Sequence, residues 1–110
     1  MRNYKLYLQD MLEAVQKIEK YTKGMNFQQF EKSDLVIDGV IRNLEVIGEA
    51  SKQVPSDIKK EFKDIEWKKI SGLRDILIHA YFGVDIQIIW DVTQNNVPLL
   101  KKNLQTYLRK

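Results

Sequence analysis

The sequence predicts an all-α fold: an antiparallel bundle of four main helices with one or two short ones. Three observations predict it. Apolar residues recur at three- and four-residue steps along most of the chain, the spacing of one helix face. Only five glycines and two prolines punctuate 110 residues, so the regular elements are long. No stretch shows the strict alternation of a useful strand. One domain spanning residues 1–110 is expected, large enough to bury a real core.

Residues 3–23 read as the first helix. Tyr4, Leu8, Met11, Val15 and Ile18 form its inward seam, and Gly24 is placed to stop it in a left-handed cap. Asn26 is expected to cap a short helical turn through Lys32. Ser33 or Asp34 then opens a second long helix running to about Val54, with Ile37, Val40, Ile41, Leu44, Ile47 and Ser51 inward and Pro55 ending it. Gly48 sits in mid-helix, where it costs about 1 kcal/mol against alanine, and so suggests a close helix approach.

Ser56 is expected to cap a short helix to Lys63. Lys59, Lys60, Lys63, Lys68 and Lys69 surround Trp67; a solvated face around a buried tryptophan is favoured there over a dedicated RNA surface. A central helix should run from Glu66 to about Phe82 and end at Gly83. Asp85 can cap the final helix, which Pro98 must kink or divide because it lacks an amide proton and clashes with the preceding turn. The wide seams, with their tyrosines and two tryptophans, also suit a self-associating face.

Composition excludes several chemistries. With no cysteine and one histidine, neither a disulfide framework nor a zinc site is expected, and no cofactor is implied. The charged N-terminal stretch does not resemble a secretory signal, and no apolar run approaches the ~18 residues of a membrane span. A cytoplasmic setting without membrane contact is the expectation. The net charge of +3 permits an acidic partner or nucleic acid without identifying either.

The chemistry-bearing stretch is Ile70-Ser-Gly-Leu-Arg-Asp-Ile-Leu-Ile-His-Ala-Tyr-Phe-Gly-Val84. It sets Arg74, His79 and Tyr81 among Leu73, Ile76, Leu77, Ile78 and Ala80, and ionisable groups in such surroundings need a partner or a use. At about 100° per residue, Arg74 and Tyr81 nearly eclipse, while Asp75 and His79 share a face, so Asp75 could orient the imidazole. Arg74 and His79 lie roughly 140° apart on a straight helix. The long arginine stem, a frayed helix end or a second chain would be needed to bring them together.

Cleaving RNA through its own 2′-hydroxyl needs a proton acceptor, a donor for the leaving oxygen and positive charge on the phosphorane. Histidine, with a pKa of about 6.5, can accept or donate, and arginine fits phosphate oxygens in a bidentate fork. One histidine cannot comfortably be acid and base at once, which a two-fold dimer would resolve. On the residues alone, a satisfied structural histidine remains the commoner arrangement, with Tyr81 a half-buried hydroxyl finding a partner.

The run Arg74-Asp-Ile-Leu-Ile-His79-Ala-Tyr81 resembles the Arg-x4-His-x-Tyr motif of the HEPN superfamily, specifically HepT-like toxins. Arg42-Asn-Leu-Glu-Val-Ile-Gly-Glu-Ala50, Trp67-Lys-Lys-Ile-Ser-Gly-Leu-Arg74 and Val84-Asp-Ile-Gln-Ile-Ile-Trp90 resemble the blocks around that motif. The bare Arg-x4-His pattern is common by chance; the blocks in order make the match specific. The resemblance implies a HEPN-like helical bundle that forms a homodimer, with the motifs of both chains in a shared cleft. It implies a metal-independent endoribonuclease, the toxin of a type VII-like toxin–antitoxin pair, acting on RNA with Arg74 and His79 catalytic.

Asp75 would play a supporting part, at a position that is often asparagine in relatives, and adds negative charge near the substrate phosphate. The implied antitoxin is a minimal nucleotidyltransferase of the MntA type, which could join the toxin homodimer in a higher assembly. It would silence the toxin by transferring AMP to Tyr81. A different class of reading is a non-catalytic HEPN module that binds such a nucleotidyltransferase. The role of Glu49 stays open between an exposed helix charge and a place beside the cleft.

Overall fold

Local signals explain most element boundaries in the computed structural model, which describes residues 3–73, 75–77 and 85–109. Helix α1 spans Tyr4–Thr22 and starts where the Asn3 side chain accepts the Lys5 amide at 2.9 Å. Its seam of Leu8, Met11, Val15 and Ile18 is buried, joined by Ala14 and Thr22. Gly24, just past the helix, takes φ +77°, the left-handed conformation that reverses the chain.

Helix α2, Phe27–Glu31, is only five residues long and cannot persist on propensity alone. A capping box holds it: Gln29 N–H donates to the Asn26 side chain at 2.9 Å, and Asn26 N–H donates to Gln29 Oε1 at 3.0 Å. Phe30 then buries completely, its ring 5.0 Å from that of Trp90. Helix α3, Asp34–Lys52, is capped by Ser33 Oγ accepting from Val36 N–H. Every residue expected in its seam is buried. Its two buried polar side chains are satisfied locally, Asn43 donating to the Gly39 carbonyl and Ser51 to the Gly48 carbonyl.

Helix α4, Ser56–Glu61, differs from expectation at its start. Ser56 is its first residue rather than its cap; Pro55 occupies the cap position, and no side-chain bond closes it. Helix α5, Trp67–Ser71, ends at Gly72, so the expected long central helix is interrupted. The Gly72 carbonyl accepts the amides of Asp75 and Ile76, and helical backbone resumes at Leu73 and residues 75–77.

The last rod comprises α6 (Ile86–Asp91), a π-helical turn (Val92–Asn96) and α7 (Val97–Leu108). Pro98 accounts for the irregularity. It has no amide proton for the Gln94 carbonyl, and its ring would collide with that carbonyl in a regular helix. The backbone widens instead: Val97 N–H donates to Val92 O, five residues back.

Helix α1 packs most extensively on α3 and next on α7, while α3 also meets α5, and α2 bridges α3 and α6. An ion pair between Glu19 and Lys101 at 3.0 Å joins the end of α1 to the early part of α7, as antiparallel neighbours require. No strand occurs among the described residues. Nor is any described helix long and apolar enough to cross a membrane.

The close helix approach expected at Gly48 is present, against the α5 backbone, and Gly39 makes a tighter contact still. A methyl on Gly39 would sit 3.1 Å from the Tyr21 ring, whereas one on Gly48 would meet the Ile70 carbonyl oxygen at 3.9 Å, its nearest neighbour among the described residues. Gly48→Ala should therefore raise the unfolding free energy by about 0.5–1 kcal/mol, read by urea denaturation. Gly39→Ala should gain less or lose stability, because the ring must shift.

Candidate functional site

The motif segment is held from its apolar side. Leu73 and Leu77, four residues apart on one helix face, are both buried, while Asp75 between them is exposed. The Asp75 carboxylate thus stands on the solvent side, where sequence geometry puts the face it shares with position 79. Arg74, His79 and Tyr81 lie outside the described residues.

Beside this segment opens a cleft of about 380 Å³. Leu44 and Ile47 of α3 contribute to its lining, together with Ile70, Leu73 and Ile76 on the motif side and Val92 and Leu99 from the last rod. Among the described residues, its polar lining consists of Asp64, Glu66, Lys69, Asn96 and Asn103. Glu66 and Lys69 are an ion pair at 2.8 Å.

The loop leading into α5 is clamped on two sides. Trp67 donates its indole N–H to the carbonyls of Lys59 (3.2 Å) and Phe62 (3.1 Å), and Lys59 Nζ lies 5.5 Å from the ring centre. On the other side, Tyr107 stacks on Phe62 with ring centroids 4.1 Å apart. Its hydroxyl donates to Asp64 Oδ2 at 3.2 Å, and Asn103 donates to the Asp64 carbonyl at 3.0 Å. Burial, aided by the Asp64 carboxylate, pushes the Tyr107 phenol above its ordinary pKa.

Sequence reasoning missed this clamp. Asp64 and Tyr107 are 43 residues apart, and no local spacing connects them. Trp67 is half-buried rather than buried, within a lysine-rich face in which Lys60, Lys63 and Lys68 are exposed. Glu49 is an exposed helix charge paired with Lys52 at 3.2 Å. Among the described residues, no group of histidine or acidic side chains could hold a metal ion.

Helices throughout the described residues and an Arg-x4-His-x-Tyr sequence together define the class: a HEPN-type helical domain. The family described as Ribonuclease HepT-like matches residues 11–107, so the chain belongs to the HepT-like ribonucleases of the HEPN superfamily. It is 42% identical over 109 residues to a probable ribonuclease HepT of Thermococcus cleftensis, covering 99% of this chain and 98% of that protein. A candidate RNase of Methanocaldococcus jannaschii is 38% identical over 104 residues, covering 94% of this chain and 95% of the relative. Another, from Caldanaerobacter subterraneus, is 36% identical over 110 residues, covering 100% of this chain and 98% of the relative. No solved structure matches the chain significantly.

Membership of this family makes the chain an RNase, with RNA as the substrate class. Because the Trp67 indole is engaged by two carbonyls, its part is to hold the loop. Trp67→Phe should cost about 1 kcal/mol of stability by denaturant titration while leaving RNA cleavage per folded molecule unchanged.

Proposed function

We propose that this chain is a metal-independent endoribonuclease toxin in which Arg74 and His79 act at a cleft between two copies. The match of the HepT-like ribonuclease family over residues 11–107, enclosing the Arg-x4-His-x-Tyr segment, carries this reading. Arg74 binds the scissile phosphate with two parallel N–H bonds and offsets the charge that builds on the phosphorane. One neutral His79 takes the proton from the 2′-hydroxyl as its oxygen attacks phosphorus. The P–O5′ bond breaks, and a protonated histidine supplies the leaving 5′-oxygen with its proton. A second copy provides that other imidazole, since one ring cannot hold both protonation states in the same turnover.

The exposed Asp75 lies on the solvent side of the motif segment, where it can orient His79. The reading extends to regulation. A nucleotidyltransferase of the MntA type, as the antitoxin, transfers AMP from ATP to the Tyr81 hydroxyl, forming the Tyr–O–P bond as pyrophosphate leaves and the phenolic proton is released. The added phosphate competes for Arg74 and repels the RNA backbone. The exposed Asp75 carboxylate also favours a second reading, a non-catalytic module that binds the nucleotidyltransferase, because it too repels phosphodiesters.

Cleavage assays in EDTA separate the two. Arg74→Ala and His79→Ala should each lower the rate by about 10²–10⁴-fold or more, with helical content retained. Full activity in His79→Ala would remove the imidazole from the mechanism, and a wild type that binds the nucleotidyltransferase without cutting RNA would leave the binding module. Intact mass after incubation with the nucleotidyltransferase and ATP should show added adenylyl groups on the wild type and none on Tyr81→Phe.

A further inference from the structure

We infer that the lysines gathered around Trp67 hold the backbone of a single-stranded RNA outside the reaction centre, with Lys60, Lys63 and Lys68 each taking a phosphate. This deepens the nuclease reading above and rests on it for the strand's role as substrate. Lys59, Lys60, Lys63, Lys68 and Lys69 fall close together in the chain, and Trp67 draws their segments onto one surface. Its indole N–H joins it to the carbonyls of Lys59 and Phe62. Lys60, Lys63 and Lys68 are each the next residue after one of those three, and all are exposed.

Exposed lysines alone would suit a solvated face, so what decides is where the carboxylates stand. Every aspartate and glutamate of the chain lies among the described residues, yet no ion pair there takes up Lys60, Lys63 or Lys68. The nearby acids are placed elsewhere. Asp64 is held toward α7 by the Tyr107 hydroxyl, Glu66 is engaged by Lys69, and both line the cleft. On α4, Lys59 leans over the Trp67 ring, and steps of about 100° put Asp57 and Glu61 on the opposite flank. Three ammonium groups without a paired carboxylate remain, and each attracts a phosphate as a point charge without reading bases.

The surface adjoins the motif segment. Ile70, Leu73 and Leu77 are buried at three- and four-residue steps, so the exposed Lys68 and Asp75, seven residues apart, share the solvent side. Seven residues of helical backbone rise about 10 Å. A strand that reaches the motif can therefore run on past Lys68 to Lys63 and Lys60, and these contacts supply the affinity that the Asp75 carboxylate withholds.

Fluorescence anisotropy on the full chain tests this, with a labelled RNA of about 12 nucleotides whose 2′-hydroxyls are all O-methylated. Such a strand binds but lacks the attacking group. Combining Lys60→Ala, Lys63→Ala and Lys68→Ala should raise Kd at least about 10-fold near ~0.1 M salt, with unchanged helical circular dichroism. The slope of log Kd against log salt should flatten by about 2, at ~0.7 per lost phosphate contact. Arginine at the same three positions should restore both. On cleavable RNA the alanine variant should raise KM and leave kcat near its wild-type value. The same charge removed at the two ends of α1, by Lys5→Ala, Lys20→Ala and Lys23→Ala, should leave Kd and slope unchanged. A wild type that does not bind the strand, an unmoved Kd and slope in the lysine variant, or an equal loss in the α1 control overturns the inference. So does a lysine variant that loses the nucleotidyltransferase but binds RNA as before, which hands the surface to a protein partner. The nuclease reading fails separately. Lysine-dependent binding by a wild type that never cuts RNA keeps the surface and rejects the nuclease, whereas cleavage with an unmoved slope does the reverse.

Discussion

Burial of Leu73 and Leu77 is the constraint on which the candidate site depends. Side chains four residues apart on a helix lie over one another, so one pair of leucines sets the rotation of the segment that follows Gly72. With those two facing the core, Asp75 has to face solvent, as it does. The short helix α5 could not impose this alone. Gly72 ends it, and the carbonyl of that same glycine receives the amides of Asp75 and Ile76, so the backbone restarts in register with the leucines rather than with Trp67.

The remainder of the bundle acts as support for that rotation. Leu44 and Ile47 are buried in the core and also contribute to the cleft lining, so the packing of α3 on α1 is transmitted to the motif side. The loop into α5 is held by directional bonds rather than by apolar packing alone: two carbonyls on the Trp67 indole, and the Asp64 carboxylate and carbonyl on Tyr107 and Asn103. The π-turn before Pro98 serves the opposite wall, where Val92, Asn96 and Val97 all reach the cleft. The same side chains serve as core and as site boundary.

Much of this was legible in the chain because it is local. The Asn26 cap, the Ser33 cap, the Gly24 reversal and the inward seams of α1 and α3 follow from contacts spanning one turn, and the structure has them where the residues imply. Pro98 announced a break but not its form, because a kink and a π-turn both relieve the same clash. Ser56 misled because the preceding Pro55 already has the extended backbone of a cap. Gly48 faces the Ile70 carbonyl of α5, the close helix approach a mid-helix glycine suggests, whereas no local spacing announced the Tyr21 ring beside Gly39.

The division has a physical basis. Hydrogen bonds and apolar repeats within a few residues are encoded by spacing, so helices, most of their caps and the Arg-x4-His-x-Tyr pattern belong to the sequence alone. The Asp64–Tyr107 clamp, the Glu19–Lys101 pair and the cleft between α5 and the last rod join residues tens of positions apart. Such contacts exist only once the loops have closed and the seams have chosen their partners, a choice made by the packing of the whole bundle.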